Sequence, residues 1–174
     1  QTVTQSACAD ASFSRTPGDA CAVLTADCLP VLFCSRAGDV VAAAHAGWRG
    51  LLGGVLENTV AAMGVDPGQL LAWLGPAIGP ALFKVGPGVR AAFLAAAGPA
   101  HLAQTDACFV PSSSTAGHYM ANLYALARLR LAALDSGSIY GGEFCTVTEK
   151  DRFFSYRRDG RTGRMASLIL IKSP

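Results

Sequence analysis

The chain has 174 residues, of which 51% are apolar and only 15% charged. That is enough for one domain with a substantial core, and it excludes a disordered or coiled-coil chain. A net charge of +2 is too small for an electrostatic nucleic-acid binder, and no run of about 18 apolar residues exists to span a membrane.

Residues 1–20 are polar and read as loop, with Thr16-Pro17-Gly18-Asp19 as a turn. Cys21–Thr25 reads as a buried strand. Two apolar runs then flank the turn Arg36-Ala37-Gly38-Asp39, which is the pattern of a β-hairpin. If Ser35 pairs with Val40, residue numbers across the antiparallel ladder sum to about 75. His45 then faces Pro30, and Cys28 faces Gly47. A thiol, an imidazole and the Asp27 carboxylate come to one open end, with Arg49 just beyond. Leu51–Met63 has helical spacing, stopped by Gly64 and Asp66-Pro67-Gly68. Leu70–Leu74 is a short strand, closed by the turn Gly75-Pro76-Ala77-Ile78-Gly79-Pro80. That turn either approaches a ligand closely or makes a tight connection. Pro87–Ala97 reads as a helix, 98–118 as a loop and Tyr119–Leu134 as an amphipathic helix. Ser138–Tyr140 and Arg164–Ile171 read as strands. Strands and helices interleave without a strict βαβ rhythm, which points to a mixed sheet.

Six cysteines are scattered without a Cys-x-x-Cys pair, which favours reduced thiols in a cytoplasm over a disulfide scaffold. Cys8, Cys21, Cys34 and Cys108 read as small core or surface residues. Cys28 reads equally as a buried small side chain and as a functional thiol. Beside a histidine, such a thiol is a nucleophile or a metal ligand. Gly47-Trp48-Arg49-Gly50 follows His45 and precedes a helix, so Arg49 beside a helix start suits phosphate or a carboxylate. Trp48 reads as a core aromatic. A catalytic zinc takes three protein ligands, of which Cys28 and His45 supply two. His101 and His118 lack motif support. The segment 145–159 carries Cys145, Glu149, Ser155, Tyr156, Arg157 and Arg158. It suits an anionic or ring-bearing ligand, but on the residues alone a surface ion-pair network is the stronger reading.

The motifs Thr25-Ala-Asp-Cys-Leu-Pro-Val31, His45-Ala-Gly-Trp-Arg-Gly50 and Leu74-Gly-Pro-Ala-Ile-Gly-Pro80 occur in that order. Tyr140-Gly-Gly-Glu-Phe-Cys-Thr146, Phe153-Phe-Ser-Tyr-Arg-Arg-Asp159 and Thr162-Gly-Arg-Met-Ala-Ser167 follow. Together they resemble the YfiH family of bacterial proteins, whose members carry laccase-domain or polyphenol oxidase, purine nucleoside phosphorylase and peptidoglycan editing factor labels. The resemblance implies a single α+β domain over 1–174. Its mixed β-sheets would be flanked by helices in an α/β/β/α layering similar to the cytotoxic necrotizing factor catalytic domain. It also implies a site of two histidines and a cysteine for zinc, with copper as the alternative. Cys28 and His45 match two of those ligands. The third, in a Gln-Val-His-Gly motif, is expected upstream of the position of Gln1, in a segment this sequence does not include.

The activity that the resemblance implies is metal-dependent phosphorolysis of adenosine, inosine and methylthioadenosine, with adenosine deaminase as a side activity. Cys28, His45 and Asp27 are the catalytic candidates. Arg49, Cys145, Arg157 and Arg158 are the candidates for substrate and phosphate. The expected partners are purine nucleosides and phosphate, without nucleic acid or membrane, in a cytoplasmic monomer or small homo-oligomer. The alternatives are a thiol hydrolase of a cell-wall precursor, with Cys28 as nucleophile and His45 as base, and a laccase-like copper polyphenol oxidase. Only three histidines in the sequence weigh against the oxidase. A binding protein without activity fits the clustered polar residues less well.

Overall fold

The hairpin forms in the expected register: Pro30 pairs with His45 and Leu29 with Ala46, and the Ser35 amide donates to the Val40 carbonyl at 3.0 Å. The structure, a computed structural model, describes residues 9–136 and 138–172. Its strands are β1 (Ala11–Ser14), β2 (Ala20–Thr25), β3 (Leu29–Ser35), β4 (Val41–Ala46), β5 (Leu70–Leu74), β6 (Lys84–Val85), β7 (Phe109–Pro111), β8 (Tyr119–Ala121), β9 (Ser138–Gly141) and β10 (Met165–Leu170). Its helices are α1 (Trp48–Leu52), α2 (Val55–Met63), α3 (Pro87–Ala96), α4 (Leu102–Ala107), α5 (Leu123–Ala132) and α6 (Tyr156–Asp159).

Five strands make a mixed sheet in the order β1-β4-β3-β5-β9, in which only β5 and β9 run parallel. The ribbon β2–β10 lies over one face of this sheet, while helix α2 packs on β4 and on α5. A small sheet of β6, β8 and β7 completes the α+β fold. The central strand β4, Val41-Ala-Ala-Ala-His-Ala46, is covered on both sides. Its alanines alternate between two cores, with Ala42 and Ala44 in the larger and Ala43 in the smaller. A strand buried on both faces reads as an unbroken apolar run rather than an alternating one. The ribbon, covered on one face, alternates: Cys21, Val23 and Thr25 point inward, while Ala20, Ala22 and Leu24 point out.

Three expectations give way to packing or to turn chemistry. The helix expected over 51–63 is two helices, because Gly53 and Gly54 interrupt it and Gly54 takes φ +84°, a left-handed conformation that glycine adopts without strain. The loop expected over 98–118 contains α4 and β7. The Arg90–Asp106 pair at 2.6 Å and the Phe93–Phe109 ring contact at 5.8 Å anchor them to α3. The helix expected over 119–134 begins only at Leu123, because Asn122 caps it through the Ala125 amide at 3.0 Å and Tyr119–Ala121 form a strand instead. At the start of the chain, β1 replaces part of the expected loop, and Cys8 lies outside the described residues.

Tyr124, buried on α5, holds the turn after β5 in place. Its hydroxyl accepts the Ala77 amide at 2.7 Å and donates to the Phe144 carbonyl at 2.9 Å. Burial is the main reason that its phenol is pushed up to about 12, so it stays a neutral donor. Tyr124→Phe orphans a buried amide, and it is expected to lower stability by about 1–3 kcal/mol in denaturant unfolding. An unchanged midpoint would mean that the amide finds another partner.

Candidate active site

The site opens where the β3–β4 ladder ends. Gly47 lies beyond the last pair of that ladder, opposite Cys28. A Cβ on Gly47 would sit 3.0 Å from Cys28 Sγ and 3.7 Å from His45 Nε2. Only hydrogen fits comfortably there, so the close approach of thiol and imidazole depends on this glycine. On its other side, His45 Nδ1 lies 3.1 Å from Asp10 Oδ1, and the His45 amide donates to the Asp10 carbonyl at 2.7 Å. Asp10 therefore grips both the backbone and the ring of His45 from the start of the edge strand. No local pattern in the sequence announces this contact, because it depends on β1 pairing with β4.

The Cys28 thiol beside the ring is the largest influence on His45. Burial opposes it, Asp10 adds to it, and the imidazole is pushed up to about 9. Both neighbours thus favour the protonated ring. A raised folded-state value means that this contribution to stability is complete below the ordinary histidine value of 6.5 and is lost as pH rises through about 9.

Asp27 has φ +84° and is buried. Its two carboxylate oxygens accept the Thr146 hydroxyl at 2.5 Å and the Arg157 amide at 2.6 Å. Cys28, His45, Arg49, Tyr156, Arg157 and Arg164 line one cavity of about 500 Å³, within the usual range for small-molecule sites. Arg49 stacks over the half-buried Trp48 ring at 4.3 Å, and among the described residues it pairs with no carboxylate. Helix α1 begins at Trp48, so Arg49 lies in its first turn. The Arg157 guanidinium, by contrast, donates to the Leu82 carbonyl at 3.2 Å and lies over Phe83.

Cys145 and Arg158 do not reach this cavity. Arg158 donates to the carbonyls of Thr146, Val147 and Phe153 and pairs with Asp159 at 2.7 Å, so it braces its own segment. Cys145 borders a separate hollow and accepts the Gly79 amide at 3.3 Å. Burial raises its thiol, but Thr148 together with the Gly79 and Val147 amides outweighs that and leaves it below the ordinary value. His101 and His118 do not line this cavity. Tyr156, which the sequence places among the polar and aromatic residues of 145–159, lines this cavity, and so does Arg164, to which the sequence alone assigns no role. Both fall inside motifs, but spacing alone does not tell which motif residues face inward.

Cys28 and His45 are a soft and a borderline donor that suit zinc or copper(I). The Asp10 carboxylate on the far nitrogen is the outer partner that metal-ligating histidines normally have. The pair therefore fits part of a metal site. Among the described residues no group of three or more His, Cys, Asp or Glu side chains completes it.

Comparison with known proteins gives a consistent result. Residues 1–172 match the model of the multi-copper polyphenol oxidoreductase laccase family. The chain is 58% identical to the purine nucleoside phosphorylase YfiH of Escherichia coli K12 over 163 residues, covering 94% of this chain and 64% of that protein. It is 56% identical to a purine nucleoside phosphorylase of Pseudomonas aeruginosa, covering 94% of this chain and 65% of that protein. A crystal structure of a Neisseria meningitidis protein superposes with a TM-score of 0.87 at 56% identity, covering 95% of this chain and 65% of the other. The chain spans just under two thirds of the length of these relatives.

In the metal-free protein, an NMR titration of the His45 ring is expected to show a midpoint near pH 9. Cys28→Ala is expected to return the midpoint most of the way to 6.5, and Asp10→Asn to lower it less. A midpoint near 6.5 in the parent protein would rule out the cationic pair.

Proposed function

We propose that this chain, which belongs to the multi-copper polyphenol oxidoreductase laccase family of YfiH proteins, is part of a metal-dependent purine nucleoside phosphorylase. The observation that carries the proposal is the Cys28–His45 pair closing across Gly47 beside a cavity lined by Arg49, which pairs with no carboxylate among the described residues. The names of the curated relatives support the reaction class.

The reaction breaks the glycosidic C–N bond of the nucleoside and forms a C–O bond from phosphate to the anomeric carbon. The free base and ribose 1-phosphate leave. Arg49, steadied by the Trp48 ring, holds the phosphate dianion and orients one oxygen toward the sugar. Arg164 adds positive charge to the cavity lining. Tyr156, an exposed ring in that lining, stacks on the purine, and Phe83 adds a buried apolar surface. The Asp27 carboxylate, held by the Thr146 hydroxyl and the Arg157 amide, adds negative charge to this end of the cavity as the oxocarbenium-like ribosyl group develops. Zinc held by Cys28 and His45, with copper as the alternative, would supply Lewis-acid chemistry and account for an adenosine deaminase side activity. Adenosine, inosine and methylthioadenosine are the proposed substrates. No helix among the described residues is long and apolar enough to cross a membrane, and a cytoplasmic setting fits freely diffusing nucleosides.

A second reading rests on a specific contact. Asp10, His45 and Cys28 lie in the order of a carboxylate–imidazole–thiol relay, which suits a thiol hydrolase acting on a cell-wall precursor. The two readings separate cleanly. The phosphorylase reading expects phosphate-dependent release of adenine from adenosine by the natural protein, lost on chelation and in Cys28→Ala. Arg49→Ala is expected to raise the KM for phosphate on the order of tenfold to a hundredfold, the worth of a lost charge-assisted contact. Turnover of an amide substrate that survives chelation and stops on alkylation of Cys28 would favour the hydrolase instead.

A further inference from the structure

Asp27 sits beside the proposed ligand Cys28, yet its own carboxylate faces protein donors far away in sequence. Oδ1 accepts the Thr146 hydroxyl at 2.5 Å, across 119 residues, and Oδ2 accepts the Arg157 amide at 2.6 Å, across 130. The Asp27 carbonyl accepts the Ile78 amide at 3.0 Å, and the Thr146 amide donates to the Ala77 carbonyl at 3.0 Å. One residue thus ties the hairpin end, the 75–80 turn and the 145–159 segment at a single point. Thr146 is fully buried, and Asp27 is 9% exposed.

We propose that Asp27 is a positioning residue: its carboxylate clasps the 145–159 segment to the hairpin end, and so brings Cys28 and Tyr156 to the lining of one cavity. The backbone supports this role. A left-handed bend at Asp27, with Cys28 following directly, turns the chain out of β2 and into β3 within three residues. Aspartate is among the few side chains that accept this conformation readily. The Arg157 amide can only donate, so the oxygen facing it must accept, and the Thr146 hydroxyl donates to the other. Asparagine keeps the bend and one acceptor for the amide, but it loses the charge and its NH2 meets Thr146 only if the hydroxyl turns round to accept. Glycine keeps the bend and offers none. The Arg157 amide is held at the start of α6, next to Tyr156, so the clasp reaches the proposed base-stacking ring directly.

The inference rests on the proposed metal reading only for one of its two readouts. In the natural protein, Asp27→Asn and Asp27→Gly are compared by amide hydrogen exchange and by zinc affinity in chelator competition. Both variants are expected to exchange faster, by about tenfold or more, over 26–30 and over 144–158 together, with the central strands unchanged. Both are expected to weaken zinc binding about 10- to 100-fold, the usual effect of losing a group that orients a ligand. Thr146→Val, which removes one donor and leaves the carboxylate, is expected to give the same pattern at smaller size, and it serves if an Asp27 variant does not fold. Exchange that rises uniformly, or an Asp27→Gly protein that behaves like the parent, would overturn the inference. Unchanged zinc affinity in Asp27→Asn, with binding abolished in Cys28→Ala, would overturn it and leave the metal reading standing. If the parent binds no zinc, the metal reading fails, and the exchange pattern alone decides on Asp27.

Discussion

Everything at the candidate site depends on the register of one antiparallel pair. With Pro30 opposite His45, the thiol of Cys28 and the imidazole of His45 leave the ladder at the same end, separated only by a glycine. A slip of one residue would turn every side chain of β4 to the opposite face. That slip is resisted because both faces of β4 are buried against different partners, helix α2 on one side and the ribbon on the other. The alanines that let both layers approach closely thus also lock the geometry of the functional end.

The site is assembled from segments far apart in sequence, and polar contacts do most of the joining. Asp10 reaches the imidazole from an edge strand, Tyr124 holds the 75–80 turn from a helix, and Asp27 gathers the 145–159 segment. The Tyr124 and Asp27 bonds meet buried groups, where an unmet partner is costly, whereas the Asp10–His45 contact is open to water on the aspartate side. Arginines divide by the same logic. Arg158 is absorbed by backbone carbonyls and a neighbouring aspartate, whereas Arg49 has an aromatic face and no carboxylate among the described residues. That division explains why the cavity can offer positive charge to a small anion.

Much of this was legible from residues alone. The hairpin, its register and the meeting of Cys28 with His45 follow from apolar runs around a four-residue turn, because strand pairing across a short turn is a local property. Strand β5 and helix α3 were readable for the same reason. The split at Gly53–Gly54 was readable in principle, but apolar spacing continues through it and hides the break. Helix α4 was not readable, since the ion pair and the ring contact that hold it are tertiary. Asp10 and Thr146 were invisible as site residues because their partners lie 35 and 119 positions away. Cys145 and Arg158 stood inside motifs that face other parts of the molecule, so motif membership alone overstated their reach toward the cavity.

Joint ligation of one metal by Cys28 and His45 is tested most directly by cobalt(II) substitution in the natural protein, followed by absorption spectroscopy. A sulfur-to-cobalt charge-transfer band is expected, lost in Cys28→Ala, together with visible ligand-field bands that change in His45→Ala. A parent protein without the sulfur band, or a band that persists in Cys28→Ala, would contradict it.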